Sequence, residues 1–342
     1  MKSLLFSIFL IVGSVIGSGF SSGKEMVVYF ARFGKYSYLY ILITCVLFVF
    51  VFYILLNNAG KAEKRLKKSY ILNLINIFIC FIFASSMFAG LKSLISDYGT
   101  IIYIVLCIFL IISCLFVTII GLNSLQKINL ILMPVIIIIF FIVLIYCSSL
   151  EAILGVYNST KLGIFFSPLY VILNTSTAGI VISQSGKKLT KKQTWIASIV
   201  STAILSVFLL FGNFILQRNF HSFQLDMPFL YLVKTSSILT FFMKFVIFVG
   251  CITSLFSLCL TLKISLNVIV KKEISTVLIT VFVPFVISEF GFSEIVSIFY
   301  PIASVLGIYI LFDLFLIPFF KQTNNKIHTT SEKAEDKGAS HY

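Results

Sequence analysis

Residues 11 to 25 read IVGSVIGSGFSSGKE, a stretch in which small, flexible residues interrupt an apolar segment. An unpaired backbone amide or carbonyl group is costly in hydrocarbon, so an interruption at membrane depth is tolerated only where those groups face protein, water or a ligand. Gly17, Ser18 and Gly19 therefore predict a break in a membrane-spanning helix and a binding site beside it. The alternative is that Gly13 and Gly17 form a small-xxx-small pattern that lets neighbouring helices approach closely.

The composition is that of a polytopic membrane protein. Of 342 residues, 59% are hydrophobic and 11% are charged, and the mean hydropathy is +1.10. Soluble domains carry about a quarter charged residues. A helix needs about 20 apolar residues to cross the bilayer. Ten such runs predict an all-α protein with ten transmembrane helices, at 4–31 (broken), 37–56, 70–91, 100–120, 130–148, 167–185 (broken), 195–216, 237–262, 274–291 and 295–318.

The positions of lysine and arginine predict the orientation, because positive flanks resist translocation. Two connections, 57–69 and 186–193, are rich in these residues. If both connections are cytoplasmic, ten spans place both termini in the cytoplasm. The formal net charge of +14 is interpreted as this topological signal together with attraction to the lipid bilayer. No nucleic-acid binding is expected, because no basic patch carries interleaved aromatics on a soluble fold.

The two ends of the chain need separate interpretation. Lys2 and the apolar run after it resemble a secretory signal, but cleavage is not expected, because it would leave nine spans and spoil the charge asymmetry. Residues 321–342 are polar and cannot bury a core, so they are predicted to form a disordered cytoplasmic tail. The remaining residues, 1–320, are predicted to form one transmembrane domain.

A second interruption lies five spans after the first, in 167–185, where residues 174–179 read NTSTAG. Five crossings later the chain runs in the opposite direction. Matching breaks in oppositely oriented halves indicate an inverted repeat, with repeat one at about 4–148 and repeat two at about 167–318, and they are typical of a transporter with a site near the midplane. The predicted substrate-binding residues are those at the two breaks: Gly17, Ser18, Gly19, Phe20, Ser21, Asn174, Thr175, Ser176 and Thr177.

The chemistry of the two breaks favours a zwitterionic ligand. A half-helix that begins near Phe20 presents free amide groups and a positive dipole end to an anionic group. Carbonyl groups freed at residues 13–17 and 174–177 complement an ammonium group or an alkali cation. Neither break carries an acidic side chain, so a small neutral zwitterion is preferred over a cation.

Residues 17–25 (GSGFSSGKE), followed by residues 29–34 (YFARFG), resemble the GAGFASGQE…FFxxFG beginning of the uncharacterised bacterial YkvI-like membrane proteins. Residues 16–20 (IGSGF) also resemble the first-helix motif of the amino acid/polyamine/organocation (APC) superfamily, whose members share the five-plus-five leucine-transporter (LeuT) fold. The resemblance implies ten helices, with helices 1 and 6 broken at the midplane, and a location in the bacterial plasma membrane. It implies no established substrate. Lys24 is a departure, since the group usually has Gln there.

In sodium-coupled members of that fold an ion lies between the first and eighth helices. The resemblance implies that the ligands here would be the backbone carbonyls of Gly13 and Ile16 and the hydroxyls of Thr253 and Ser254, which are hard oxygen donors suited to sodium. The alternative is that both hydroxyls bond their own helix backbone. Proton-coupled relatives can place a lysine in the fifth span, and residues 130–148 contain none. This favours Na⁺ as the coupling ion, or no ion; no other cofactor is expected.

Glu25 follows the first break and is a candidate gating residue at the outer vestibule. The alternative is an ion pair with Lys24 or Arg32. Residues 19–23 also satisfy the G-x-S-x-G pattern of serine hydrolases, but that elbow requires a strand, a helix and a base in a soluble sheet. The three histidines of the sequence lie in an outer connection and in the tail, so no enzyme is expected.

These patterns together predict a secondary active transporter of a small zwitterionic solute, most simply an amino acid, that works by alternating access, either as a symporter coupled to sodium or without a coupling ion. The main alternative is a sensor or receptor on the same fold that binds a small metabolite without transporting it. An ion channel is a third alternative, disfavoured because no repeated filter loop or ring of charges is visible.

Overall fold

A computed structural model describes residues 2–95, 121–155, 161–270 and 272–319, together with isolated positions between 101 and 116. Within these ranges the regular elements are helices, and the one β-bridge joins Ile153 to Asn219. Among the residues that the structure describes, seven helical segments are long and apolar enough to cross a membrane. The predicted all-α class and multi-pass membrane character are therefore confirmed.

In chain order the helices that matter here are α1 (Lys2–Val15), α2 (Ser18–Ser22), α3 (Lys24–Tyr29), α4 (Ser37–Asn57), α5 (Lys61–Leu66), α6 (Tyr70–Ile95), α7 (Leu122–Ser148), α8 (Phe166–Ser185), α9 (Lys191–Arg218), α10 (Pro228–Leu232), α11 (Ser237–Leu266), α12 (Glu273–Ile287) and α13 (Phe292–Phe319). The most apolar window of α11 is 89% buried and that of α6 is 78% buried, against 33% for α7. Helices α6 and α11 therefore lie at the centre of the bundle, and α7 lies at its periphery. Helix α1 packs against α7, α8, α9 and α11.

The first predicted break is present. Helix α1 ends at Val15, Gly17 is extended (φ −100°, ψ −164°), and α2 begins at Ser18. Helix α2 starts earlier than the half-helix expected near Phe20, and it is only five residues long. Gly23 then adopts the left-handed conformation (φ 88°), which L residues with a side chain rarely adopt, and the chain turns into α3.

The predicted break in the sixth span is wrong, because α8 is a continuous helix from Phe166 to Ser185. Its polar side chains bond the carbonyls of the preceding turn: Asn174 Nδ2 donates to Tyr170 O (3.0 Å) and Thr175 Oγ1 donates to Val171 O (2.6 Å). Ser176 and Thr177 donate in the same way. A carbonyl oxygen has two lone pairs, so it accepts these bonds without giving up its helical partner.

The other predicted spans agree with helices, except for the fourth. Residues 100–120 are described only at isolated positions, and the predicted tail at 321–342 lies outside the described residues. The ten-helix, five-plus-five arrangement and the two repeats therefore stay predictions. The last span, α13, contains two π-helical turns, at Ile295–Phe299 and Phe312–Leu316.

The two lysine-rich connections meet at one end of the bundle, called here the basic end. The amide of Gly60 donates to Ser183 Oγ (2.8 Å), and Gln184 Nε2 donates to Glu63 Oε2 (2.8 Å). Gly186 lies directly on the backbone of Leu56, where an added Cβ would overlap the carbonyl group. Both connections are predicted to lie on the same side of the membrane, and the structure agrees in placing them at the same end of the bundle.

Candidate functional site

A small enclosed cavity lies beside the break between α1 and α2. Its walls come from the break itself, from Glu25 in α3 and from the middle of α6, α8 and α11. Of the predicted substrate-binding residues, Gly17, Asn174 and Thr177 line it. Its accessible volume of about 10 Å³ has room for about one water molecule. In this conformation a solute therefore enters or leaves only if the surrounding helices move.

The other predicted substrate-binding residues surround the cavity without lining it. Ser18 Oγ donates to Ser86 O on α6 (3.3 Å), and Ser21 Oγ donates to Gly17 O (2.7 Å). The remaining members of that set, Gly19, Phe20, Thr175 and Ser176, are buried in the same region.

Close packing at the break explains its glycines. A Cβ added to Gly17 would lie 2.8 Å from Met87 Cε and 3.1 Å from Ser254 Oγ, and one added to Gly250 would lie 3.0 Å from Ile16 O. The two interpretations of the glycine pattern, a backbone break and close helix approach, thus apply together.

Oxygen atoms from α1 and α11 meet next to the break. Ser254 Oγ lies 3.3 Å from Gly13 O and 3.4 Å from Ile16 O, and Thr253 Oγ1 lies 3.4 Å from Gly13 O. Thr253 also donates to its own helix, at Gly250 O (3.1 Å), as the alternative interpretation expects. The four predicted sodium ligands therefore lie close together, at distances at which the two hydroxyls donate hydrogen bonds to the two carbonyls.

Asn129 on α7 is a polar residue of this region that sequence reasoning missed. Its side chain is fully buried, and among the described residues neither its Oδ1 nor its Nδ2 has a hydrogen-bond partner. Nδ2 lies 2.9 Å from the position that a Cβ on Gly13 would take. The only sequence signal for it was an amide at the start of a long apolar run.

The carboxyl group of Glu25 turns back towards the break. Its residue is 2% exposed, and Tyr170 Oη donates to its Oε2 (3.2 Å). A Cβ on Gly19 would lie 2.6 Å from Glu25 Cγ and 2.7 Å from Cδ, so the side chain covers that glycine. The interpretation that no acidic side chain lies at either break is therefore wrong. The left-handed turn at Gly23 brings α3, and Glu25 with it, back over α2.

Neither of the expected ion-pair partners approaches Glu25. Lys24 Nζ donates to the carbonyls of Phe223 (3.3 Å) and Leu225 (3.0 Å). The Arg32 guanidinium lies over two aromatic rings, 4.5 Å from the centroid of Phe166 and 4.8 Å from that of Phe33.

The connection between α9 and α11 covers the turn between α2 and α3 at the end opposite the basic end, called here the vestibule end. Phe229 of α10 packs on Gly23, with its Cδ2 2.9 Å from the position of a Cβ there. Asp226 accepts hydrogen bonds from Ser93 Oγ (3.1 Å) and Ser293 Oγ (2.6 Å). Together with Lys24, these contacts hold the cover in place.

We expect Lys24→Met to loosen this cover. A hydrogen bond from a charged donor contributes about 1.5 kcal/mol or more, so its loss should speed amide hydrogen exchange in residues 223–232 about ten-fold. The matched control is Lys35→Met, because the Lys35 ammonium lies over the Tyr36 ring, 5.5 Å from its centroid, and carries the same charge change. Equal exchange in both variants would show that Lys24 does not hold the cover.

Comparison with known protein families finds no family that matches the chain. The chain is similar to "Uncharacterized protein YyaD" of Bacillus subtilis (strain 168), with 25% identity over 328 residues that cover 90% of this chain and 95% of that protein. It is also similar to the solved structure of Mhp1, a nucleobase-cation-symport-1 family transporter in a closed conformation with bromovinylhydantoin bound. That likeness has a TM-score of 0.61 and 14% identity, and it covers 92% of this chain and 78% of that chain.

The likeness to Mhp1 gives the chain the fold of a membrane transporter. That class is not an enzyme class, which agrees with the expectation that this chain is not an enzyme. Membership of the YkvI-like group and of the APC superfamily stays a prediction.

Proposed function

We propose that this protein is a secondary active transporter that moves a small solute with an amino group, amino acids first among them, by alternating access and with sodium as the coupling ion. The observation that carries the proposal is the break at Ile16–Gly17, which borders an enclosed cavity at the centre of the bundle. Irregular backbone at membrane depth is tolerated where it lines such a cavity, and transporters with discontinuous helices bind substrate there.

Alternating access is supported by the separate contacts that close the two ends of the bundle. At the vestibule end, Lys24 and Asp226 hold the connection between α9 and α11. At the basic end, Gly60 bonds Ser183, and Arg65 pairs with Asp313 (3.4 Å). None of the residues named for one end is named for the other, as independent opening of the two ends requires.

Sodium coupling is supported by the oxygen cluster of Gly13, Ile16, Thr253 and Ser254. Two of its members are carbonyls on the α1 side of the break, and two are hydroxyls on α11. A cation held there would link the position of α1 to that of α11. The energy of a sodium gradient would then act on the helix that borders the cavity.

The test is uptake of a labelled amino-acid mixture into proteoliposomes, with an inward sodium gradient compared with an inward proton gradient. We expect sodium-driven uptake that the Gly17→Leu protein lacks. Uptake driven by protons alone would refute sodium coupling. If there is no uptake under either gradient while amino acids still raise the melting temperature, transport of these solutes is refuted and a sensor is favoured. If there is neither uptake nor binding, amino acids are the wrong substrate class.

A further inference from the structure

The charge of the cavity comes from one residue. Among the described residues that line it, Glu25 is the only acidic one, and none is a lysine, arginine or histidine. The ion pairs found in the described part of the chain join Arg65, Lys67 and Lys92 to other carboxylates, and none of them includes Glu25. As an ionised group, Glu25 would therefore give the cavity a net negative charge.

The carboxylate of Glu25 has acceptor capacity to spare. Two oxygens offer about four lone-pair positions, and the one hydrogen bond that the structure assigns to them comes from Tyr170. Lys24 and Arg32, the nearest cationic residues along the chain, bind carbonyls and aromatic rings elsewhere. Among the described residues, the carboxylate of Glu25 therefore lacks a cationic donor.

Because Glu25 is buried, the lack of a cationic partner for its carboxylate is energetically costly. A buried charge without a partner costs several kcal/mol, and ionisable groups inside membrane spans mark substrate or ion pathways. The chain also places the carboxyl group here with two glycines: Gly23 makes the left-handed turn, and Gly19 leaves the space that the side chain fills. The carboxyl group is thus held at the cavity by the local fold.

We propose that Glu25 is the counter-charge for a protonated nitrogen of the solute, so that the solutes of this protein are small amines, including amino acids through their ammonium group. This rests on the proposed function and assigns the residue that recognises the amino group of the substrate. The ammonium group binds at Glu25, and the rest of the solute lies against the apolar lining side chains Phe83, Met87 and Leu258. Amines with a short apolar body are therefore preferred, and neutral solutes of the same shape are excluded.

The test is the ligand-induced shift in melting temperature of the full-length protein in detergent and sodium buffer. The probes are isobutylamine and L-leucine, each paired with its N-acetylated form, putrescine paired with its N,N′-diacetylated form, and the neutral base uracil. We expect at least one amine to raise the melting temperature while its acetylated partner and uracil do not. Glu25→Gln should weaken that binding at least about 30-fold, as expected for a buried charge pair that loses one partner, and Glu25→Asp should weaken it less.

A matched control is Glu289→Gln, which removes an exposed carboxylate that pairs with Lys92 and should leave binding unchanged. The proposal is overturned if no amine binds, if the acetylated probes bind equally well, or if Glu25→Gln binds amines as the wild type does while losing only proton-driven uptake. If Glu25→Gln cannot be purified, the comparison of each amine with its acetylated form on the wild-type protein decides whether a protonated nitrogen is required for binding. If amines bind but are not taken up, the proposed transport is overturned and the role of Glu25 as counter-charge stands. If a neutral solute is taken up, transport stands and the role of Glu25 is overturned.

Discussion

The Gly17→Leu protein is expected to fold and to take up less than about 1% of the solute that the wild type takes up, since displacing a bound group by about 1 Å can cost 100-fold. The conformation of Gly17 is extended, so an L residue fits the backbone there. The leucine side chain would instead point at Met87 Cε, 2.8 Å from the Cβ position, and at Ser254 Oγ. It would fill the cavity and push α6 and α11 away from the break.

Graded variants separate this steric effect from a general folding defect. Gly17→Ala should reduce uptake only in part, because the end of the Met87 side chain can move, and Met87→Ala in the same protein should restore it. Elution as a single species on size exclusion and a cooperative melting transition serve as the folding check. Wild-type uptake by a folded Gly17→Leu protein would show that the break does not border the substrate site.

The second large effect is expected from Ser254→Ala combined with Thr253→Val. Each removes one hydroxyl from the cluster around Gly13 O and Ile16 O, and each loss should weaken sodium binding at least about ten-fold, by analogy with changes around known metal sites. The sodium-induced rise in melting temperature should shift to correspondingly higher sodium concentration, with potassium and choline chloride as the salt controls.

Ser265→Ala is the matched control for this prediction. It removes a hydroxyl from the same helix, but that hydroxyl accepts from Asn76 Nδ2 (2.8 Å), away from the break. Sodium should stabilise the Ser265→Ala protein as it does the wild type. A sodium response that is equal in the double variant and in this control, or one that potassium reproduces in the wild type, contradicts a sodium site at these residues.

Some of this structure could be predicted from the sequence. The apolar runs predict the helices, and Gly17 predicts the break, because backbone without helical bonding needs such residues at membrane depth. The approach of Thr253 and Ser254 to Gly13 came instead from the resemblance to the LeuT fold. Nothing in the spacing of these residues predicts that they meet.

The continuity of α8 could not be predicted, since the polar run at residues 174–177 fits two structures. The same side chains can line an unwound segment or can bond carbonyls one turn back, and here they do the latter. The position of the Glu25 side chain was predicted wrongly for a related reason. Its position depends on the sign of φ at Gly23, and the sequence shows only that Gly23 is a glycine.

An unbroken α8 makes the two sides of the cavity mechanically unequal. On the α1 side the helix is interrupted at Ile16–Gly17, which forms a joint. On the other side α8 is a continuous helix whose polar side chains donate hydrogen bonds to its own backbone. Bending strain that arises when either end opens is therefore taken up at one joint. The carbonyl oxygens of Gly13 and Ile16, the predicted ion ligands, belong to that joint, so a cation bound there would fix its angle, while α8 would set the shape of the opposite wall of the cavity.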